Sequence, residues 1–174
     1  MSDRFESERL LFRPQRVEDA EALHEAYSDA ELMRYWSSGP HATLAETIAY
    51  VAGDLSAERR RKWAVTLRGC DRALGTVTAS ATRKGVAEIG YLLVRRYWGQ
   101  GYAREAVSRL LDLLFREEGH RRVFADTDPD NAASNRLLGS LGFRREGLLR
   151  NEWETHLGVR DSVIWGLLRG EWRP

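Results

Sequence analysis

The sequence predicts an α+β fold in a single domain, residues 1–174, and three observations carry that reading. Three consecutive segments in the middle of the chain have the composition and turn spacing of strands. The last of them runs into a Gly-x-Gly loop that opens a strongly amphipathic helix. The C-terminal third alternates strand, helix, strand and closes on two strands. A chain of this length needs no second domain and can bury a core without disulfides or metal.

Leu10 to Arg13 is predicted as a short strand stopped by Pro14, and Glu18 to about Ser28 as a helix with Ala20, Leu23, Ala26 and Tyr27 at helical spacing. A second short helix carries Leu32, Met33, Tyr35 and Trp36, and Ser37–Pro40 is a loop. Thr43 and Glu46 form a capping box for a helix from Leu44 to about Arg59. Trp63–Leu67, Leu74–Ala81 and Val86–Val94 make an antiparallel meander, with turns at Gly69–Arg72 and Arg83–Gly85. After the Gly99–Gly101 loop, Ala103, Val107, Leu110, Leu111, Leu114 and Phe115 share one helical face, and Gly119 ends that helix. Val123–Thr127 is a strand. Asp128–Asn131 turns into a helix that reaches Leu141. Strands from Phe143 onward and over Asp161–Leu168 complete the chain.

Composition narrows the function classes. The 27 basic and 26 acidic residues nearly cancel, so nothing points to a nucleic-acid partner. No apolar run approaches the ~20 residues that cross a bilayer. The opening Met-Ser-Asp-Arg-Phe-Glu is too charged for a signal peptide. Cys70 has no cysteine to pair with, which fits a reducing cytoplasm. His24, His41, His120 and His156 are scattered without metal-ligand spacing, so no metal is expected.

A strand, a glycine-rich loop and a helix start together favour a phosphate. Glycines let backbone N–H groups approach the oxygens, and the helix N-terminus adds partial positive charge. A P-loop would need Gly-Lys-Ser/Thr, but Gly101 is followed by Tyr102 and Ala103. A dinucleotide fingerprint would need glycine where Arg104 stands, inside a parallel βαβ unit. A glycine turn without a ligand is the plain alternative. The pattern Arg96-x-x-Gly99-x-Gly101 resembles the pyrophosphate loop of GNAT acetyltransferases. Tyr91–Val94 before it, Asn131-x-x-Ser134 and Leu141–Gly142–Phe143 after it extend the likeness. Glu8–Pro14, Glu146–Arg150 and Arg160–Asp161 are similar to the RimJ/RimL branch, which acetylates protein N-termini. The resemblance spans about Glu8 to Leu168.

The resemblance implies a GNAT acyl-CoA N-acyltransferase fold, with a mixed central sheet flanked by helices and acetyl-CoA as cosubstrate. Backbone groups of Leu92 and Val94, with Leu93 between them, would pair with the pantetheine amides as an added strand pairs with a sheet edge. Arg96 and the N–H groups of Gly99, Gln100, Gly101, Tyr102 and Ala103 would hold the pyrophosphate. Asn131 would meet the cofactor near its thiol, or simply cap the next helix. A backbone N–H near Val94 would serve the oxyanion. A homodimer is compatible with the family.

The acceptor would be a neutral amine. A protein α-amine, pKa ~7.8, is neutral far more often at pH 7 than a lysine, pKa ~10.4; the difference is worth ~3.5 kcal/mol. It therefore needs only a weak base, such as a carboxylate acting through water. Many GNAT enzymes carry a tyrosine acid where Leu138 stands here; RimL-like members have a serine at the position of Ser134. Ser134 is the candidate proton donor or thiol partner, or else a first-turn serine bonding backbone. Glu152 and Glu154, on one face of a strand opposite Trp153, lead as the base, with Glu88 the alternative. Trp36, Trp98 and Trp153 are candidates to line the acceptor cleft. The expected activity is acetylation of a protein N-terminus. A polyamine or aminoglycoside acetyltransferase, and a non-catalytic acyl-CoA-binding module, are the alternatives.

Overall fold

The computed structural model describes residues 4–55 and 60–174. A two-residue strand β1 (Phe5–Glu6) precedes β2 (Leu10–Pro14). Three helices come next, α1 (Ala20–Tyr27), α2 (Ala30–Met33) and α3 (Leu44–Leu55). The meander is β3 (Arg60–Leu67), β4 (Ala73–Arg83) and β5 (Val86–Leu93). Then come α4 (Tyr102–Asp112), β6 (Arg122–Thr127), α5 (Ala132–Ser140), β7 (Arg144–Thr155) and β8 (Gly158–Leu168). The eight strands form one sheet in the order β1-β2-β3-β4-β5-β6-β8-β7, and every neighbouring pair is antiparallel except β5–β6. No helix among the described residues is long and apolar enough to cross a membrane.

The expected elements are present with shifted ends. The short strand β1 has no counterpart in the sequence expectations. Tyr35 and Trp36 lie beyond α2, whose N-cap Asp29 accepts the N–H groups of Glu31 and Leu32. The capping box at Thr43 and Glu46 forms, with Thr43 Oγ1 accepting the Glu46 N–H at 3.3 Å. The end of the next helix at Arg59 lies outside the described residues. The helix expected to continue to Gly119 widens into a π turn over Leu113–Glu117, closed by Glu118 N–H donating to Leu113 O. The wider turn lets three successive residues, Leu113, Leu114 and Phe115, all reach the core.

Two apolar layers hold the sheet. On one face α4 and α5 press Val107, Leu110, Leu111 and Leu138 against Val77, Ile89, Val123 and Leu167. On the other, α1 and α3 press Leu23, Ala26, Tyr27 and Val51 against Ala64, Leu92 and Val94. Side chains of β5 alternate between these layers, as a strand buried on both faces requires.

β5 is seated against β4 at Gly75, which stands opposite Leu93. A methyl group on Gly75 would overlap the Leu92 carbonyl oxygen and lie 3.1 Å from Leu93 Cα, both of them backbone. Backbone cannot swing aside as a side chain can, so Gly75→Ala should push β5 away. We expect a loss of roughly 1–3 kcal/mol, read from denaturant unfolding, in keeping with overpacked cores.

Candidate active site

The parallel pairing of β5 with β6 covers only Val86–Glu88 against Arg122–Phe124. Beyond Glu88 the two strands separate, while β6 continues along β8 to Thr127. The sheet therefore opens in its middle, between Ile89–Leu93 and Ala125–Thr127. Two cavities meet at this opening.

The first, of about 530 Å³, runs from the end of β5 over the glycine loop to α5. It is lined by Tyr91, Leu92, Leu93, Gly99, Gly101, Tyr102, Ala103, Asn131 and Ser134, all but Tyr91 expected from the sequence as site residues. Gly99 and Gly101 have φ of 72° and 81°, the left-handed region that favours glycine. Gly101 is the N-cap of α4, and a Cβ at Gly99 would enter open space before the helix start. The unbonded N–H groups of a first helical turn point into such a space. This cradle fits a pyrophosphate.

Side-chain bonds brace the loop. The Arg95 guanidinium donates to both Asp29 carboxylate oxygens at 2.5 and 2.6 Å and lies over the Trp98 ring. Trp98 Nε1 donates to Leu93 O at 2.7 Å. Arg9 donates to Gln100 O and Glu105 and covers Tyr102.

Several assignments are corrected. Val94 is fully buried, and its N–H donates to Leu74 O at 2.9 Å, so it serves neither pantetheine nor oxyanion. The Leu92 carbonyl likewise points at β4, beside Gly75. Strand alternation then turns the N–H and C=O of Tyr91, and the N–H of Leu93, toward the opening. Register against β4 decides this, and register is invisible in a lone strand. Arg96 and Gln100 line neither cavity. Arg96 is ion-paired with Glu25 at 2.7 Å, and Gln100 Nε2 donates to Arg96 O. Arg95 and Arg104 line the first cavity in their stead.

The second cavity, about 290 Å³, lies beyond the opening and shares Tyr35, Trp36, Tyr91, Asn131 and Ser134 with the first. Glu88 lines it, half-buried. Burial, and then the nearby Asp126 charge, push the Glu88 carboxyl above its ordinary pKa, and Arg60 opposes them. Asp126 Oδ2 accepts the Trp153 Nε1 hydrogen at 2.7 Å. Asp54 is neutralised by Lys62 and Arg60, and Asp128 by Arg160. Among the described residues Glu88 and Asp126 are in no ion pair.

Glu152 and Glu154 are exposed and line neither cavity, whereas Trp153 and Thr155 line the second. The alternation read from the sequence is present, but it is the tryptophan face that meets the cleft. Trp36 also lines the cleft, whereas Trp98 belongs to the loop. Asn131 Oδ1 accepts the Ser134 N–H at 3.1 Å, so Asn131 caps α5 and faces both cavities at once. Sequence reasoning placed Tyr91 only as the start of the strand beside the loop, and it missed Asp126, Arg95 and Arg104. The pairing of Asp126 with Trp153 joins residues 27 apart in sequence, and no local pattern signals it.

A sequence profile of the acetyltransferase (GNAT) domain matches residues 9–144. The chain is 33% identical over 171 residues to p20 of Bacillus licheniformis, an uncharacterized N-acetyltransferase, covering 95% of this chain and 96% of that protein. An acetyltransferase (GNAT family) structure from Bacillus anthracis superimposes with a TM-score of 0.85 and 29% identity, covering 97% of this chain and 99% of that one. More distant relatives have acceptors in their names. The spermidine N(1)-acetyltransferase of Escherichia coli K12 is 24% identical over 88% of this chain and 83% of its own. The ribosomal protein uS5 alanine N-acetyltransferase of the same strain is 29% identical over 49% of this chain and 44% of its own.

Gly101→Glu tests the cradle. The new side chain meets a strained φ, places its Cβ 3.3 Å from Arg9 Nη2 and sets a negative charge before the helix. We expect calorimetry to show coenzyme A affinity reduced at least about 100-fold, equivalent to ~2.7 kcal/mol. Unchanged binding by the folded variant removes the phosphate from this loop.

Proposed function

The chain belongs to the GNAT acetyltransferase family, and we propose that it transfers the acetyl group of acetyl-CoA to the α-amine of a protein N-terminus. The aromatic walls of the second cavity carry this reading. Five carboxylates line the cavity, Asp54, Glu88, Asp126, Asp128 and Asp161, against Arg60, Lys62 and Arg160, and among the described residues Glu88, Asp126 and Asp161 are in no ion pair. That excess of negative charge attracts an ammonium of either acceptor class, so it is the walls that favour a peptide. Trp36 and Trp153 offer a peptide apolar walls. The RimJ/RimL-like segments and the uS5-modifying relative support the same acceptor class.

In this reading acetyl-CoA lies in the first cavity. Its pantetheine amides pair with Tyr91 and Leu93, and its pyrophosphate rests on the N–H groups from Gly99 to Ala103. The thioester reaches the opening beside Asn131 and Ser134. Glu88 takes a proton from the amine through water, and its raised pKa suits a weak base working on a weakly basic amine. An N-terminal α-amine, already partly neutral at pH 7, asks no more. The spermidine-acetylating relative, which matches along most of the chain, favours polyamines as the second reading.

Two measurements test this. kcat/KM on N-terminal peptides should exceed that on spermidine by at least tenfold; the reverse order moves the acceptor to the polyamine class. Glu88 acts only when ionised, and its raised pKa shifts the acid limb of the pH profile upward from the ordinary carboxylate range. Glu88→Gln should lower kcat about 100-fold, the scale of a lost general base, and leave only the limb of the amine itself. A wild-type acid limb in that variant removes Glu88 from the reaction.

A further inference from the structure

Side chains of β5 alternate, so Glu88, Gly90 and Leu92 share one face of the strand, and Ile89 and Tyr91 pack into the layer under α4. Glu88 is the last residue of β5 paired with β6, and Leu92 is buried in the layer under α1 and α3. Between them, where the sheet opens, stands Gly90. It lines the second cavity and not the first. Its backbone does not require glycine, because its φ lies outside the left-handed region. Glycine inside a strand weakens it, and marks a place where something comes close to the backbone. Apart from its chain neighbours, a methyl group at Gly90 would come within 4 Å of one described atom, Thr78 Oγ1, at 2.9 Å. Thr78 stands opposite on β4 and lines the same cavity. The obstacle to a side chain here is therefore one hydroxyl and no backbone, and the space in front of Gly90 belongs otherwise to the cavity.

We propose that the bare backbone at Gly90 seats the carbon that bears the reacting amine and allows that carbon to be branched. This rests on the reading of the acceptor as an N-terminal α-amine. The α-carbon of every residue except glycine carries two carbon substituents, its side chain and its carbonyl. The amine-bearing carbon of spermidine, or of a lysine side chain, carries one. The second substituent needs room beside the line of attack, and that room is the volume a Cβ at Gly90 would take. Glu88 lies two residues back on the same face, and Asp126 lines the same cavity from β6. The acetyl donor is met from the other cavity, so a side chain at Gly90 acts on the acceptor and not on coenzyme A. Gly90 is in this reading a specificity-determining position, one that admits α-amines bearing a side chain.

The test moves a methyl group from the substrate to the enzyme. Two peptides, identical except for glycine or alanine as first residue, are compared by kcat/KM, with the acetylated product followed by mass spectrometry. The wild type should use both. In Gly90→Ala the alanine-to-glycine ratio should fall at least about tenfold below the wild-type ratio, the scale on which an enzyme discriminates one methylene. Coenzyme A affinity, read by calorimetry, should be unchanged. Thr78→Ala with Gly90→Ala carries the methyl group without the clash, and against Thr78→Ala alone it should show the same fall; this pair decides the matter if Gly90→Ala does not fold. An unchanged ratio in Gly90→Ala overturns the proposal, whatever happens to the overall rate. Recovery of the ratio in the double variant also overturns it and assigns the effect to a displaced Thr78. So does a wild type that accepts the glycine peptide alone. A wild type that acetylates spermidine and no peptide overturns the N-terminal reading and this one with it, whereas peptide turnover with an unchanged ratio overturns this one alone.

Discussion

Everything at this site depends on the short parallel contact between β5 and β6. Three residues on each strand pair, and the strands then part. A sheet that opens in its middle leaves main-chain N–H and C=O groups without a strand to bond. Enclosed main-chain polar groups are costly when unpaired, so an opening of this kind persists where something else can bond them. The extended, amide-bearing arm of an acyl carrier meets that requirement as a substitute strand. The same opening connects the two faces of the sheet, so a donor held from one side can meet an acceptor entering from the other.

The separation is maintained from both flanks. β4 grips β5 through an antiparallel ladder that is regular from Gly75 to Ala81, and Gly75 allows the close approach at Leu92 and Leu93. β6 is held away by β8, its antiparallel partner from Arg122 to Thr127. The apolar layers above and below then fix which side chains of β5 point where. Leu92 and Val94 enter the layer under α1 and α3, and Ile89 enters the layer under α4. Glu88 and Tyr91 stand at the boundary of these layers, where burial is deep enough to shift both groups although the opening lies beside their strand.

Much of this was legible in the sequence, for local reasons. The glycine loop, the amphipathic helix after it and the Asn131 cap are written in consecutive residues, and all three form as read. The meander followed from three short apolar segments with turn residues between them. What depended on register was hidden. Sequence alternation correctly set Leu92 and Val94 apart from Tyr91 and Leu93, yet only the pairing with β4 decided which pair faced the opening. Glu152 and Glu154 failed in the same way: the alternation held, and the face was the other one. Asp126 beside Glu88 required the parallel contact itself, which brings together strands separated by an entire helix.

The loop after β5 is unusually well tethered for a glycine-rich segment. Arg95 is clamped by Asp29, Trp98 is tied back to Leu93, and Gln100 is held through Arg9 and Arg96. Asp29 in turn caps α2, so the tether reaches the helical layer. Glycine ordinarily loses more conformational entropy on being ordered than any other residue. Here that loss is incurred when the chain folds and not when a ligand arrives. The cradle is pre-organised, and association has little ordering left to oppose it. A ligand leaving such a seat breaks its contacts with a loop that is already ordered, so its residence time reports those contacts and not a refolding of the loop.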